Sequence, residues 1–311
     1  HMLPPPLTHR LGLGLETMSP ALSFGCRLDD SGDLVEYRIA PSWVRVERVS
    51  YEAADARLAE PPFAAMVELT DRYRARRAAQ GATGLALPEV NIKVIDGRVV
   101  IRPLARLGSR ELVTDAMLMA GEAAARWAIA NGVAMPFATQ LPPDEIRAPE
   151  DLAGMYAYRR LFRPSQTKGV PEPHAGLGLD AYVRATSPLR RYQDLLAHQQ
   201  IRAALHAGTV LPTAALAERY GVADVASAVG RRAERLSNQH WKLVYLQQNP
   251  HWEGEAVVVD LEERKAAVII PELAFETRVK LQGGMAPNQR LRLKVREVDL
   301  ADASAYFRVL D

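Results

Sequence analysis

After Pro250 the pattern of this chain changes, and the change limits what it can fold into. Before Pro250, helical patterns alternate with strand-like runs. From Gly254 onward the runs GEAVVVDL, KAAVIIPEL, TRVKL, RLRLKVREVDL and AYFRVL are short and strand-like. Five such runs fit a small closed barrel of the OB type. A boundary is therefore expected near 249–253, dividing the chain into residues 1–250 and residues 251–311.

The longer part reads as mixed. Residues 1–50 read as strands and turns, with SFGCRL and DLVEYRI flanking the turn-rich LDDSGD as a hairpin. PPFAAMVELTDRYRARRAAQ, residues 61–80, reads as a helix whose basic end suits the helix dipole. LALPEVNIKVIDGRVVIRPL places two β-rich runs around Asp96-Gly97, a strong hairpin signal. RELVTDAMLMAGEAAARWAIANG reads as a long alanine-rich helix with Gly132 past its end. Helical patterns follow at 143–160, 188–207 and 224–247. The fold class expected is α+β, a mixed sheet with surrounding helices followed by the barrel.

Composition excludes more than it assigns. With 39 Lys+Arg against 37 Asp+Glu, the net charge of +2 does not by itself name a polyanionic partner. A lone cysteine, Cys26, forms no internal disulfide, which fits a reducing cytoplasm. No apolar run approaches the ~18 residues of a membrane span, so no membrane partner is expected. HMLPPPLTHR lacks the apolar centre of a signal peptide.

The chemistry concentrates in ATSPLRRYQDL, residues 185–195. Thr186 or Ser187 before Pro188 predicts an N-cap with proline at the first helical position. Arg190 and Arg191 then fall in the first turn, where free N–H groups and the dipole already favour an anion. Two guanidiniums there suit phosphate oxygens. Between Arg159 and Arg202 stand Arg159, Arg160, Arg163, Lys168, Arg184, Arg190, Arg191 and Arg202, against only Glu172, Asp180 and Asp194. A phosphate-bearing ligand accounts for that surplus. A second reading has Arg191 pair with Asp194 at i,i+3 on a solvated face, worth a few tenths of a kcal/mol.

The stretch HAGLGLDAYVRATSPLRRYQDLLAHQ, His174 to Gln199, resembles the signature of the ribonuclease II/RNase R (RNB) family, roughly H-x-G-L-x-x-Y-x-x-x-T-S-P-I/L-R-R/K-Y-x-D-x-x-x-H-R. MLPPPLTHRLGLGLETMSPALSF, RVERVSYEAAD, RAAQGATGLALPEVNIKV and ELVTDAMLMAGEAAARWA resemble other family segments in the same order, so the likeness covers essentially the whole chain. It implies a processive, Mg²⁺-dependent hydrolytic 3′→5′ exoribonuclease on single-stranded RNA, releasing nucleoside 5′-monophosphates. A non-catalytic RNA-binding relative, using the channel and the OB fold, is the alternative. The partner implied is an RNA 3′ end, bound by a monomer.

The resemblance also assigns residues. Arg190 matches the arginine that neutralises charge on the scissile phosphate. Arg191, where lysine is also common, would give backbone affinity or structural pairing, and Ser187 stands beside it in the RNA-binding set. Tyr51 matches a tyrosine that stacks on the terminal base, and a half-buried strand tyrosine is the lesser alternative. Glu234 matches a glutamate near the terminal sugar, which would favour RNA through its hydroxyls. A solvated charge on an RRAER helix reads nearly as well. Asp115 matches an acidic position in the middle helix. The family's Mg²⁺-binding aspartates precede its L-P-x-x-L segment, so they are expected upstream of residue 1, and this chain alone is expected to bind RNA without cleaving it. Asp29, Asp30 and Asp33 make a poor substitute at a hairpin tip. Departures include Arg184 for a frequent histidine, Gln199 for an arginine, Gly121 for an asparagine, and Leu85 and Leu87 where an aromatic can stand.

Overall fold

The computed structural model describes residues 2–145 and 149–310. In chain order its elements are α1 (Pro5–Leu11), β1 (Ser19–Leu28), β2 (Leu34–Val44), α2 (Tyr51–Asp55), α3 (Phe63–Ala79), β3 (Val90–Ile95), β4 (Arg98–Pro103), α4 (Gly108–Ala130), β5 (Phe137–Thr139), α5 (Leu152–Arg159), β6 (Gln166–Lys168), α6 (Tyr192–Leu205), α7 (Thr213–Gln248), β7 (Glu253–Leu261), β8 (Lys265–Ile270), β9 (Phe275–Lys280), β10 (Arg290–Asp299) and β11 (Ser304–Leu310). The mixed α+β class is as expected.

Two compact units emerge. The first takes residues 1–83, 106–143 and 163–226, and the second takes 84–105, 144–162 and 227–311. This division differs from a single cut at 250. The β3–β4 hairpin, α5 and the C-terminal part of α7 all group with the barrel.

In the first unit, β1 and β2 pair antiparallel, with an irregularity between Arg27 and Leu28. The turn between them is held by Asp29, whose Oδ1 accepts from the Ser31 N–H (2.9 Å), the Ser31 hydroxyl (2.7 Å) and the Asp33 N–H (2.9 Å). Leu28, Leu34 and Ile39 of this hairpin join the apolar clusters of α4, whose Met119, Ala123, Ala124, Ala125 and Ala128 are buried. Alanines at those positions let neighbouring backbones approach closely. The closest approach is at Gly121, where an added Cβ would lie 2.1 Å from Tyr182 Cε2 and 2.7 Å from the Val183 carbonyl oxygen.

A lattice of buried charge joins α3 to α4. Glu122 accepts from Arg76 (2.6 Å), Arg126 (2.7 Å) and the Tyr73 hydroxyl (2.8 Å). Asp33 at the hairpin tip bonds Arg76 and, at 2.8 Å, Arg126. Burial opposes the Asp33 charge, but the hydrogen bonds and charges of Arg126 and Arg76 outweigh it and lower its pKa.

The second unit is built on the barrel. Its sheet runs β11-β10-β7-β8-β9, all antiparallel, and the two edge strands approach each other, so the barrel is nearly closed. Alternation decides which residues face inward: on β10, Leu291, Leu293 and Val295 are buried between exposed Arg290 and Arg292 and half-buried Lys294. Leu243 and Leu246 of α7 and Trp252 complete that core. Tyr156 of α5 packs on Val259, Ala267 and Ile269, and its hydroxyl donates to Glu276 at 2.6 Å. The β3–β4 turn has Asp96 at φ 50° and Gly97 at φ 75°, the double positive φ of a type I′ hairpin.

Where structure and expectation part, local hydrogen bonding is the reason. Within 1–50, residues 5–11 are helical, started by two prolines that preset φ. Of the stretch expected to be helical over 143–160, residues 146–148 lie outside the described residues, and the helix forms only over 152–159, capped by Asp151 accepting from the Gly154 N–H (2.7 Å). The last long helix begins at Thr213, earlier than 224, and Ala228–His240 are exposed at every position.

Candidate nucleic-acid interface

The Thr-Ser-Pro segment does not cap a helix starting at Pro188. Residues 188–190 form a turn, with the Ser187 carbonyl accepting from the N–H of Arg190 (3.2 Å) and of Arg191 (3.0 Å). Arg191 is the N-cap and α6 starts at Tyr192. The loop is then tied to the helix by two side chains one turn apart on α6. Asp194 Oδ2 accepts from the Ser187 N–H (2.8 Å) and from Arg191 Nη2 (2.7 Å). His198 Nε2 donates to the Ala185 carbonyl at 2.6 Å. Burial lowers the pKa of His198, which keeps that ring neutral near pH 7.

Asp194 is 0% exposed, so the Arg191–Asp194 pair does form, but its carboxylate lies in the interior, not on a solvated face. Arg190 is left exposed, with no ion pair among the described residues. The doubled charge thus resolves into one arginine neutralised from within and one unneutralised. The wider surplus shrinks likewise. Lys168 pairs with Glu172 (2.6 Å), while Arg159 pairs with Glu276 (3.1 Å) and Arg160 with Asp260 (2.9 Å) in the barrel unit. Lys168, Arg159 and Arg160 thus have carboxylate partners of their own.

Beside the loop lies a buried pair of rings. Tyr182 meets His174 edge-on at 6.2 Å. Burial, and then the charge of Arg184, push the His174 pKa down to about 4, so the ring is neutral at neutral pH. His174 Nδ1 is buried with no partner among the described residues.

Tyr51 opens the short helix α2 and is 38% exposed, so it is not a half-buried strand residue. The Arg110 guanidinium lies 4.3 Å from its ring centroid. Ser109 Oγ donates to the Tyr51 carbonyl (2.8 Å) and Asp55 accepts from the Ser109 N–H (3.0 Å), which fixes α2 on the start of α4. One ring face is thereby backed by a cation. Asp115 is 2% exposed and enclosed by Arg77 (2.6 Å) and Arg74 (2.7 Å). Its carboxylate is committed to these helices. Glu234 is exposed on α7, in the barrel unit, and lines a groove of about 380 Å³ with Glu89, Asn238 and Lys242.

Arg110 is the residue that sequence reasoning did not place, while Asp194 was read only as a partner of Arg191 on a solvated face and His198 only as a position of the motif. Their i,i+4 spacing on one helix face, two polar residues behind the Thr-Ser-Pro loop, is the signal that could have given both a bracing role. Among the described residues, no group of three or more His, Cys, Asp or Glu is disposed to hold a metal ion. Asp29 is occupied by its own turn and Asp33 by two arginines, so the residues present do not fit a Mg²⁺ site.

A two-unit α+β chain with a five-stranded barrel and a bare arginine on a braced loop belongs to a defined class. The family model for the RNB domain matches residues 1–207, and the model for the RNase II-type exonuclease C-terminal S1 domain matches residues 252–310. The chain belongs to the RNB, or ribonuclease II, family. It is 33% identical to an uncharacterized ribonuclease of Synechocystis sp., over 99% of this chain and 49% of the relative. It is 26% identical to the chloroplastic/mitochondrial ribonuclease II of Arabidopsis thaliana, over 93% of this chain and 39% of the relative. Mycoplasma genitalium RNase R, solved with ribose-methylated single-stranded RNA, shares the fold with a TM-score of 0.81 at 16% identity, covering 99% of this chain and 60% of that one. The chain thus spans about half the length, or less, of these curated relatives.

Proposed function

We propose that this chain supplies the RNA-gripping part of a processive, Mg²⁺-dependent hydrolytic 3′→5′ exoribonuclease that acts on single-stranded RNA and releases nucleoside 5′-monophosphates. The observation that carries the reading is Arg190, unneutralised on a loop whose backbone is fixed on both sides. A guanidinium so held offers paired N–H donors to a phosphate and costs little reorganisation as charge develops.

In this reading Tyr51 stacks on the terminal base with its free face, worth ~1–3 kcal/mol and indifferent to sequence. Glu234 accepts from ribose hydroxyls, and the Ser187 hydroxyl stands beside the phosphate contact. Arg191 acts mainly through Asp194, and Asp115 through Arg74 and Arg77, so both shape the site from behind. Mg²⁺, when bound in the whole enzyme, would activate the attacking water and stabilise the leaving oxygen. Among the described residues, no helix is long and apolar enough to cross a membrane. With Cys26 as the lone thiol, we place the protein in a reducing compartment such as the cytoplasm.

The test is 3′-labelled single-stranded RNA incubated with the full-length protein, with Mg²⁺ or with EDTA. Metal-dependent release of mononucleotides is the expected result. Binding without release in either buffer would establish the non-catalytic alternative instead.

A further inference from the structure

We propose that Asp194 is a positioning residue for Arg190: it fixes the phosphate-contacting loop from inside the protein, and turnover depends on it although it touches no RNA. The proposal rests on the reading of Arg190 given above.

Three observations lead to it. First, Asp194 is completely buried, and its one partnered oxygen holds both ends of the turn, Ser187 through the main chain and Arg191 through the side chain. Arg190 lies between those two anchors, so beyond its own N–H bond to the Ser187 carbonyl its Cα is located by contacts its neighbours make. Second, the pair is poorly satisfied. Asp194 Oδ1 and Arg191 Nε are buried without hydrogen-bond partners among the described residues. Desolvated ion pairs with unmet valences are on balance neutral or unfavourable beside apolar packing. Stability alone therefore does not explain a carboxylate here, whereas geometric control of a neighbouring residue does. Third, Asp194 stands three residues into α6 from the Arg191 N-cap. An acid in that first turn complements the dipole while reaching back to an N–H ahead of the helix. His198, one turn on, secures Ala185 and sets the entry of the same loop.

A positioning contact and a merely structural one are separated by a mutant cycle in the full-length enzyme, with kcat, KM and RNA Kd measured for Arg190→Ala, Asp194→Ala and the double variant. Asp194→Ala is expected to lower kcat about ten- to hundredfold, the scale of a small misplacement of a reacting group. RNA Kd should stay within about threefold, because phosphate contacts elsewhere carry most of the affinity. The double variant should be no slower than Arg190→Ala alone, since a mispositioned residue that is absent cannot be mispositioned. Asp194→Asn, which can still accept from the Ser187 N–H, should recover part of the loss. Two losses that multiply, or an unchanged kcat in Asp194→Ala, would overturn the proposal. If Asp194→Ala does not fold, Asp194→Asn and Arg191→Gln run the same cycle. An Arg190→Ala enzyme with full activity would instead defeat the reading of Arg190, and the two failures are distinct.

Discussion

At the scale of single residues, what matters is which charges the fold has already answered. Arg190 is unanswered, and replacing it with alanine in the whole enzyme should reduce kcat by about 10²–10³, as for loss of one transition-state donor, while single-stranded RNA still binds in a filter or anisotropy assay. Tyr51→Ala should instead change the length of the final product, read on a sequencing gel, because stacking decides how short an end can still be gripped. His174 gives a pH signature. Its folded pKa of about 4 lies below the ~6.5 of an unfolded chain, so between those values the unfolded state binds the extra proton. Stability is fully present above about pH 6.5 and is lost as pH falls toward 4, to the extent of ~3 kcal/mol. The urea midpoint should drop between about pH 7.5 and pH 5, and drop less in His174→Gln. Asp115 belongs to the answered charges. Asp115→Asn leaves Arg77 buried beside a neutral amide and should cost ~3–5 kcal/mol in a denaturation curve.

At the scale of elements, much was legible because the signals are local. The hairpins at 19–44 and 90–103 announced themselves by turn residues between β-rich runs, and α3 and α4 by long apolar spacing with basic or glycine ends. The start of α6 was not legible. Ser-Pro is a sound helix opening by itself, but a carboxylate seven residues downstream takes the Ser187 N–H, and a turn forms first. The short helix at Tyr51 was not legible for a similar reason. Ser50 caps a five-residue helix by accepting from the Ala53 N–H, a bond too short-ranged to register as periodicity. The burial of Asp115 and Asp194 depends on arginines whose placement only the tertiary fold decides. Gly121 is another such case: the departure from asparagine reads as a loss, yet the contact with Tyr182 requires the missing side chain. Gly121→Ala should cost ~1–3 kcal/mol, lowering Tm by several degrees in calorimetry, because Val183 donates its N–H to the Gly121 carbonyl (3.2 Å) and cannot step back.

At the scale of the whole molecule, the change of period near residue 250 marks where the barrel strands begin, at Glu253. It does not mark where compactness divides, since β3, β4 and α5 come from earlier in the chain and group with the barrel. Sequence pattern reports what each segment becomes, and grouping depends on partners far away in the chain. Leu293→Ala, at a position with 0% exposure in the barrel core, should remove ~2–5 kcal/mol from the unit it occupies. The exposed middle of α7 has a different consequence. From Ala228 to His240 the helix receives little support from tertiary burial, and Gly230 weakens it by ~1 kcal/mol relative to alanine. Its amides should be among the first helical ones to exchange with deuterium, by local opening with the rest of the chain still folded. Arg231, Arg232 and Arg235 stand in that stretch, so brief trypsin treatment of this chain should cut there first.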